Sequence, residues 1–333
     1  MSGKLNMGVI GLGLIGGLHA RIISELPHTE LVAVADINEE AAKKTAQSYN
    51  CDFYTDYNEL LARKDIDAVS ICVPEEYHVA PAVEAAKTGK HILMEKPIAK
   101  TCKEAMEIKK AAEDAGVRLM VAHVLRFDPR YQQLYKSIEV GQIGEPVHLY
   151  LKRTNPAASA KRLKGRVSIF YFLGVHDVDL MLWYAGSKVK RVYAQKVSKV
   201  NADINSEDTI MAIFNFENGA IGCLELCWAL PNNTALGIVT SAEVVGTKGA
   251  GYVEICDQGL TIYTENNVFY PDTLHWPEIN GKICGNLRDE ISHFAEATLK
   301  GTPYVVPTDS AIKAVEVIEA CFKSIETGLP VDM

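Results

Sequence analysis

The stretch Met7-Gly-Val-Ile-Gly-Leu-Gly-Leu-Ile-Gly16 constrains this chain more than any other. It reads as a short apolar strand, then three glycines in the spacing G-x-G-x-x-G, then a helix beginning near Ile15. Each glycine has its own task in such a turn. Gly11 permits the tight reversal, Gly13 lets a pyrophosphate approach the backbone, and Gly16 lets the helix lie close to the strand. The helix N-terminus then offers unpaired N–H groups and a partial positive charge to phosphates. The glycine spacing alone is a weak signal, because loops are rich in glycine. Its context strengthens it. The next apolar run, Leu31-Val-Ala-Val-Ala35, ends in Asp36, about 20 residues past the turn, where a dinucleotide-binding unit carries its ribose-binding acid.

Asp36 also bears on which dinucleotide is bound. A carboxylate there accepts hydrogen bonds from the ribose hydroxyls and repels a 2′-phosphate. No arginine follows it; Ile37 does. NAD is therefore favoured over NADP. A second role for Asp36, as N-cap of the helix that follows, does not exclude the first, since Asn38 serves as a cap equally well.

The first third of the chain alternates strands and helices. Strands are expected at 5–11, 30–36, 67–73, 91–95 and 118–123, and helices at 15–26, 38–48, 57–63, 77–88 and 102–115. Continuous apolar runs such as Ala68-Val-Ser-Ile-Cys-Val73 suit a parallel sheet covered on both faces. This predicts a doubly wound α/β domain over residues 1–123. The remainder, 124–333, has another rhythm. A helix is expected from Pro129 to about Val140, a strand at 146–154, an irregular basic stretch at 156–168 and a helix from Tyr171 to Tyr184. Strands follow at 188–198, 207–217, 220–230, 240–246, 251–256 and 259–264, with two closing helices near 286–300 and 308–326. That pattern predicts an α+β domain with a large open, mostly antiparallel sheet.

Composition narrows the function classes. A net charge of −8 gives no reason to expect nucleic acid or an anionic membrane as partner. No stretch of about 20 apolar residues exists to span a bilayer, and no targeting signal is visible, so a cytoplasmic location is expected. The eight cysteines form no C-x-x-C and read as buried free thiols in a reducing compartment, with no metal site expected.

Reactive groups are expected beyond the carboxyl ends of the parallel strands. His91-Ile-Leu-Met-Glu95-Lys96-Pro97 places a lysine just after a buried strand, followed by a stiffening proline. Partly desolvated beside a cationic nicotinamide, such a lysine has a lowered pKa and can exchange a proton with a substrate hydroxyl. Gly174-Val-His176-Asp-Val-Asp-Leu-Met-Leu-Trp183 puts His176, Leu180 and Trp183 on one helix face. His176 is a proton carrier if it meets Lys96, and a core or capping residue otherwise.

Gly11-x-Gly-x-x-Gly16, Pro74-x-x-x-His78, Glu95-Lys96-Pro97, Arg126-Phe-Asp-Pro129, Gly141-x-Ile-Gly144 and Gly174-Val-His176-Asp-x-Asp179 occur in this order. Together they resemble the glucose–fructose oxidoreductase / inositol dehydrogenase (Gfo/Idh/MocA) family over nearly the whole chain. The resemblance implies an N-terminal NAD(P)-binding Rossmann domain and a C-terminal domain that pairs through its open sheet, giving a homodimer or homotetramer. It implies hydride transfer between nicotinamide and a secondary alcohol or ketone of a sugar, inositol or related cyclic polyol. By position Lys96 and His176 match the family's catalytic lysine and histidine, forming the proton relay. Cofactor contacts are implied for Gly11, Gly13, Leu14, Ile15 and Gly16, for Asp36 and Ile37, for Val73, Pro74 and His78, and for Glu95 and Lys96. Substrate contacts are implied for Arg126, Asn155, Phe172 and His176.

Two departures from the family pattern matter. Phe172 stands where many polyol dehydrogenases of the family carry an aspartate, and a phenyl ring accepts no proton. It either stacks on an apolar sugar face or packs into the core. Glu75 follows Pro74 where asparagine is frequent. The segment Lys161-Arg-Leu-Lys-Gly-Arg166 carries four cations in six residues; it reads as a solvated loop or as a reader of an anionic substrate. Two other functional readings stay open: a glycosidase that uses bound NAD transiently, and a non-catalytic NAD-binding sensor.

Overall fold

Six parallel strands build the first sheet: β1 (Leu5–Ile10), β2 (Thr29–Ala35), β3 (Asp52–Tyr54), β4 (Ala68–Ile71), β5 (His91–Met94) and β6 (Leu119–Val121). Their order is β3-β2-β1-β4-β5-β6. The order reverses between β1 and β4, which is the switch point where a doubly wound sheet opens a crevice. β4 is buried at every position and β5 at all but His91, as continuous apolar runs require when helices cover both faces. The connecting helices are α1 (Leu14–Glu25), α2 (Glu39–Tyr49), α3 (Tyr57–Leu61), α4 (Val79–Lys87) and α5 (Cys102–Asp114). Their starts follow local chemistry. Asn38 caps α2 through Ala41 N–H, and Thr101 and Glu104 form a reciprocal capping box on α5. β3 escapes the sequence reading because it is three residues long and lacks an apolar run.

The computed structural model describes residues 3–234, 237–255 and 258–333. Cys256, read above as a buried thiol and as the end of a strand, lies outside the described residues. The seven other cysteines are free thiols; only Cys321 is fully buried, the rest being partly exposed.

The break read at residue 123 has its counterpart at Phe127, but the chain then returns. One compact unit holds the chain up to Phe127 together with Leu274–Ile312; the other holds Asp128–Thr273 and Lys313–Met333. The returning segment carries a long helix, Asn286–Lys300. Its apolar stripe, Leu287, Ile291, Phe294 and Ala295, is buried in one core with Met7, Val9, Ile22, Ile23 and Leu93. Arg118 reinforces the joint by stacking on Tyr304, 4.1 Å from the ring centroid.

The second unit begins with α6 (Pro129–Glu139), capped by Asp128. β7 (Pro146–Pro156), α7 (Ala157–Leu163), α8 (Val175–Ala185), β8 (Val189–Val197), β9 (Thr209–Phe216), β10 (Ile221–Leu230), β11 (Val239–Gly246) and β12 (Ala250–Ile255) follow. They form a seven-stranded sheet in the order β12-β11-β7-β10-β9-β8, closed at the β8 edge by the short strand Val331–Asp332. Only the β7–β10 pair is parallel in it. The expected irregular stretch at 156–168 is instead the helix α7 for its first half, ended by Lys164 in the left-handed conformation. Two glycines let α8 and its lead-in lie close to the sheet. A Cβ on Gly174 would sit 2.4 Å from Leu226 Cδ1, and one on Gly222 2.4 Å from Met181 Sδ. No described helix is long and apolar enough to cross a membrane.

Because Phe294 is fully buried in the first unit's core, Phe294→Ala should destabilise that unit by about 3–5 kcal/mol. Thermal denaturation followed by circular dichroism should show a lowered Tm; an unchanged Tm would mean that the returning helix is not integral to the unit.

Candidate functional site

The glycine turn has the geometry its spacing implies. Gly11 lies at φ +89°, and a Cβ there would fall 2.8 Å from Val73 N. At Gly16 an added Cβ would lie 1.8 Å from the Gly11 carbonyl oxygen, an impossible overlap. Gly13 differs: no protein atom lies within 4 Å of where its Cβ would be. Nothing in the protein forbids a side chain there, so the residue fits a backbone surface approached by something else. α1 begins beside it with no side-chain cap and no acid in its first turn. Its leading N–H groups are left to an anionic ligand, as at diphosphate sites. Leu14 and Ile15 flank this opening, Leu14 exposed and Ile15 half-buried.

Asp36 sits at the end of β2 and grips the turn. Its Oδ2 accepts from Leu12 N–H at 2.6 Å and its Oδ1 from Asn38 N–H at 2.8 Å. Each oxygen keeps a lone pair for a ribose hydroxyl. The cap of α2 is Asn38, so Asp36 is not used up in that task. Ile37 is 95% exposed beside it, an apolar surface with no internal partner. These residues fit a dinucleotide: Gly13 and the α1 N-terminus would hold the diphosphate, Asp36 the ribose, and Ile37 a base edge.

Beyond β4 and β5 the chain makes two further turns. His78 links them. Its Nε2 lies 2.9 Å from the Val73 carbonyl and its Nδ1 2.9 Å from the Pro97 carbonyl. The ring is buried; burial lowers its pKa, and the carbonyls that it faces partly restore it. It ties the Val73-Pro74 turn to the Lys96-Pro97 turn, whose peptide is cis. Glu95 Oε2 accepts the Lys96 N–H at 3.1 Å. Lys96 thus leaves β5 two residues past its last strand residue, on a backbone held from both sides. Arg126 is nearly fully buried, its guanidinium directed at the Val305 carbonyl at 3.4 Å.

In the second unit, His176 lies in the first turn of α8, preceded by a π-helical turn at Phe170–Gly174. Such single wide turns often mark functional positions, because they rotate one side chain out of the α-helical repeat. Asp177, next to His176, is held by Arg153 of β7 in a buried fork, Nε–Oδ2 2.7 Å and Nη2–Oδ1 3.0 Å. Burial pushes the Asp177 carboxyl up and Arg153 draws it back; the two-pronged geometry is that of a charged pair. On the same strand Asn155 is buried, and its Oδ1 meets no donor among the described residues. Phe172 is half-buried, its ring 6.3 Å from that of Trp228, so it packs on an internal aromatic while keeping an open side. The basic stretch is part helix and part turn: α7 ends at Leu163, residues 164–166 form a turn, and all four cations are exposed. Lys161 and Arg162 occupy the last turn of α7, where cations complement the helix dipole, and Lys161 lies 3.6 Å from Asp203.

Two models of known families match the chain. Residues 5–123 match the model of the oxidoreductase family with the NAD-binding Rossmann fold, and residues 131–251 match the Gfo/Idh/MocA C-terminal domain. The chain belongs to the Gfo/Idh/MocA oxidoreductase family. It is an NAD-binding oxidoreductase. It is 30% identical to the uncharacterized oxidoreductase YrbE of Bacillus subtilis (strain 168), across 100% of this chain and 98% of that one. It is 28% identical to the scyllo-inositol 2-dehydrogenase (NAD(+)) of the same organism, across 100% and 97%. A crystal structure of a putative myo-inositol dehydrogenase from Sinorhizobium meliloti 1021 superposes with a TM-score of 0.85 at 25% identity, covering 99% of both chains.

The sequence reading missed three features of this family member: the Arg153–Asp177 fork, the π turn before His176, and the buried acid Glu290. Only the last had a local signal, a glutamate inside the apolar stripe of its helix. The fork carries a prediction. Asp177→Ala would leave Arg153 buried and unpaired, so unfolding free energy should fall by about 3–5 kcal/mol. Urea denaturation measures it, and a loss well under 1 kcal/mol would show that the pair is not needed for stability.

Proposed function

We propose that this oxidoreductase transfers hydride between NAD and a secondary alcohol or ketone of a cyclic polyol, an inositol or related sugar. The observation that carries the reading is the Lys96 turn. A lysine is anchored just beyond a central parallel strand, clamped by His78 and Glu95, in the same unit as a glycine turn shaped for a diphosphate. Two relatives named as inositol dehydrogenases match over 100% and 97% of this chain, which favours a polyol over other alcohols. Bound NAD supplies the hydride acceptor. Lys96 takes the hydroxyl proton during oxidation and returns it during reduction, with His176 as its partner in the relay. Asn155 is suited to accept a hydrogen bond from a ring hydroxyl through its buried Oδ1. Phe172 replaces a proton acceptor with an aromatic surface, so that the relay rests on Lys96 and His176.

The open face of the second sheet supports self-association. Tyr193, Met211, Ile213, Ile221 and Tyr252 expose apolar side chains there, and Tyr193 and Ile213 are cross-strand partners. Exposed apolar side chains on an open sheet face suit an interface; we assign this face to a second copy of the chain. Ile213→Lys should shift the sedimentation coefficient toward the monomer, and an unchanged oligomer would exclude this face.

The activity is tested with inositols, sugars and uronates offered with NAD and with NADP, following nicotinamide absorbance. Lys96→Met should lower kcat by about 10²–10⁴-fold while NAD binding persists. Wild-type activity in that variant, or oxidation of no polyol in the panel, would reject the assignment.

A further inference from the structure

Behind Lys96 lies a set of buried ionisable groups that hydride transfer does not itself require. His19 is on the inner face of α1, three residues past Gly16, and is fully buried. Its Nδ1 lies 2.7 Å from Ser70 Oγ on β4, and its Nε2 lies 3.5 Å from Glu95 Oε1. The other oxygen of Glu95 takes the Lys96 N–H. Cys72 Sγ stands 3.4 Å from Ser70 Oγ. Opposite them, the Asn286–Lys300 helix contributes Glu290, which is 0% exposed. Neither Glu290 carboxyl oxygen has a hydrogen-bond partner among the described residues. The groups brought together here include His19 from α1, Ser70 and Cys72 from β4 and its end, Glu95 and Lys96 from the turn after β5, and Glu290.

Charge decides the state of this cluster. A fully buried carboxyl and a largely buried one beside a single imidazole do not both ionise cheaply, because a buried charge without a partner is strongly disfavoured. Glu95 has His19 and Lys96; Glu290 has no ion-pair or hydrogen-bond partner among the described residues, and His19 only partly offsets its burial. Burial and the nearby Glu95 push the Glu290 carboxyl well up. Burial also opposes ionisation of Glu95, but His19 and Lys96 outweigh it and hold that carboxyl below its ordinary value. His19 is lowered by burial yet raised further by Cys72 and Glu95. Two carboxyls with environments that separate them in this way are a common basis for dividing acid and base roles.

We propose that Glu290 is a protonated carboxylic acid behind the Lys96 turn, and that His19 and Glu95 set the charge state of Lys96, with His19 and Glu290 as positioning residues acting through Glu95. The arrangement leaves one carboxylate, Glu95, between His19 and Lys96. An ionised Glu290 would add a second negative charge, hold Lys96 as an ammonium and remove the base. The idea rests on the proposed role of Lys96.

Two readouts test it. The first is infrared spectroscopy: a protonated-carboxyl C=O band should be present at neutral pH in the wild type and lost in Glu290→Gln. The second is the pH profile of kcat/KM for alcohol oxidation, whose acid limb reports loss of the deprotonated lysine. Glu95→Gln removes a negative charge near Lys96, lowers its pKa and moves the limb to lower pH. His19→Gln removes the positive charge that neutralises Glu95, raises the Lys96 pKa and moves the limb to higher pH. Each shift should be about one unit, or about tenfold in rate on the limb. Glu290→Gln mimics the protonated acid and should leave the limb in place. Absence of the band, or limbs that do not move in opposite directions, would overturn the proposal. Lys96→Met keeps the two ideas apart. If it retains activity, the Lys96 reading fails while the infrared result still stands or falls by itself. If it loses activity while Glu95→Gln and His19→Gln leave the limb in place, only the network fails. Should His19→Gln not fold, Glu95→Gln and the infrared band still decide.

Discussion

The backbone of this chain passes over itself at van der Waals range where α1 leaves β1, and much else depends on that approach. A single added carbon at Gly16 would occupy the space of the Gly11 carbonyl. Without the approach, α1 would stand off the sheet. Its N-terminus would no longer point past the end of β1, and His19, one turn further on, would not reach Ser70 of β4. The same device recurs in the second unit, where Gly174 and Gly222 bring α8 against β10. In both places glycine acts by having no side chain rather than by being flexible, since Gly16, Gly174 and Gly222 do not have positive φ.

Close approach exposes polar groups to an apolar interior, and the chain resolves this by pairing. Arg153 and Asp177 satisfy each other beneath His176. Asp36 accepts two backbone N–H groups and so holds the glycine turn while keeping acceptor capacity. His78 spends its ring on two backbone carbonyls and joins two turns. These are supports. Each fixes the backbone beside it: His78 that of the Lys96 turn, and the fork that of the first turn of α8. Glu290 breaks the rule, being buried and unpaired, and a neutral acid is the physical resolution.

Much of the fold was legible in the residues. β1, β4 and β5 announce themselves as continuous apolar runs, and β9, with alternating burial along Thr209–Phe216, as a half-buried strand. The helix Asn286–Lys300 was visible from its stripe, but not the unit it joins, because a helix pattern specifies a buried face and not its partner. The basic stretch at 161–166 is divided: its first three residues end α7, and the rest form the exposed turn that the charges suggest. α7 forms there because Ala157, Ala160 and Leu163 are apolar at helical spacing.

By itself the sequence determined the dinucleotide turn, the acid that favours NAD, the alternation that makes a parallel sheet, and the lysine at the end of β5. All of these depend on residues near one another in the chain, where spacing and backbone chemistry leave few alternatives. Only the tertiary structure decided that Asp177 serves Arg153, that Asn155 presents a buried acceptor, and that His19, Glu95 and Glu290 meet. Those residues are 24 to 271 positions from a partner or surrounded by strands that converge from far along the chain. The state of a buried charge is set by what surrounds it in space, a property no local pattern encodes.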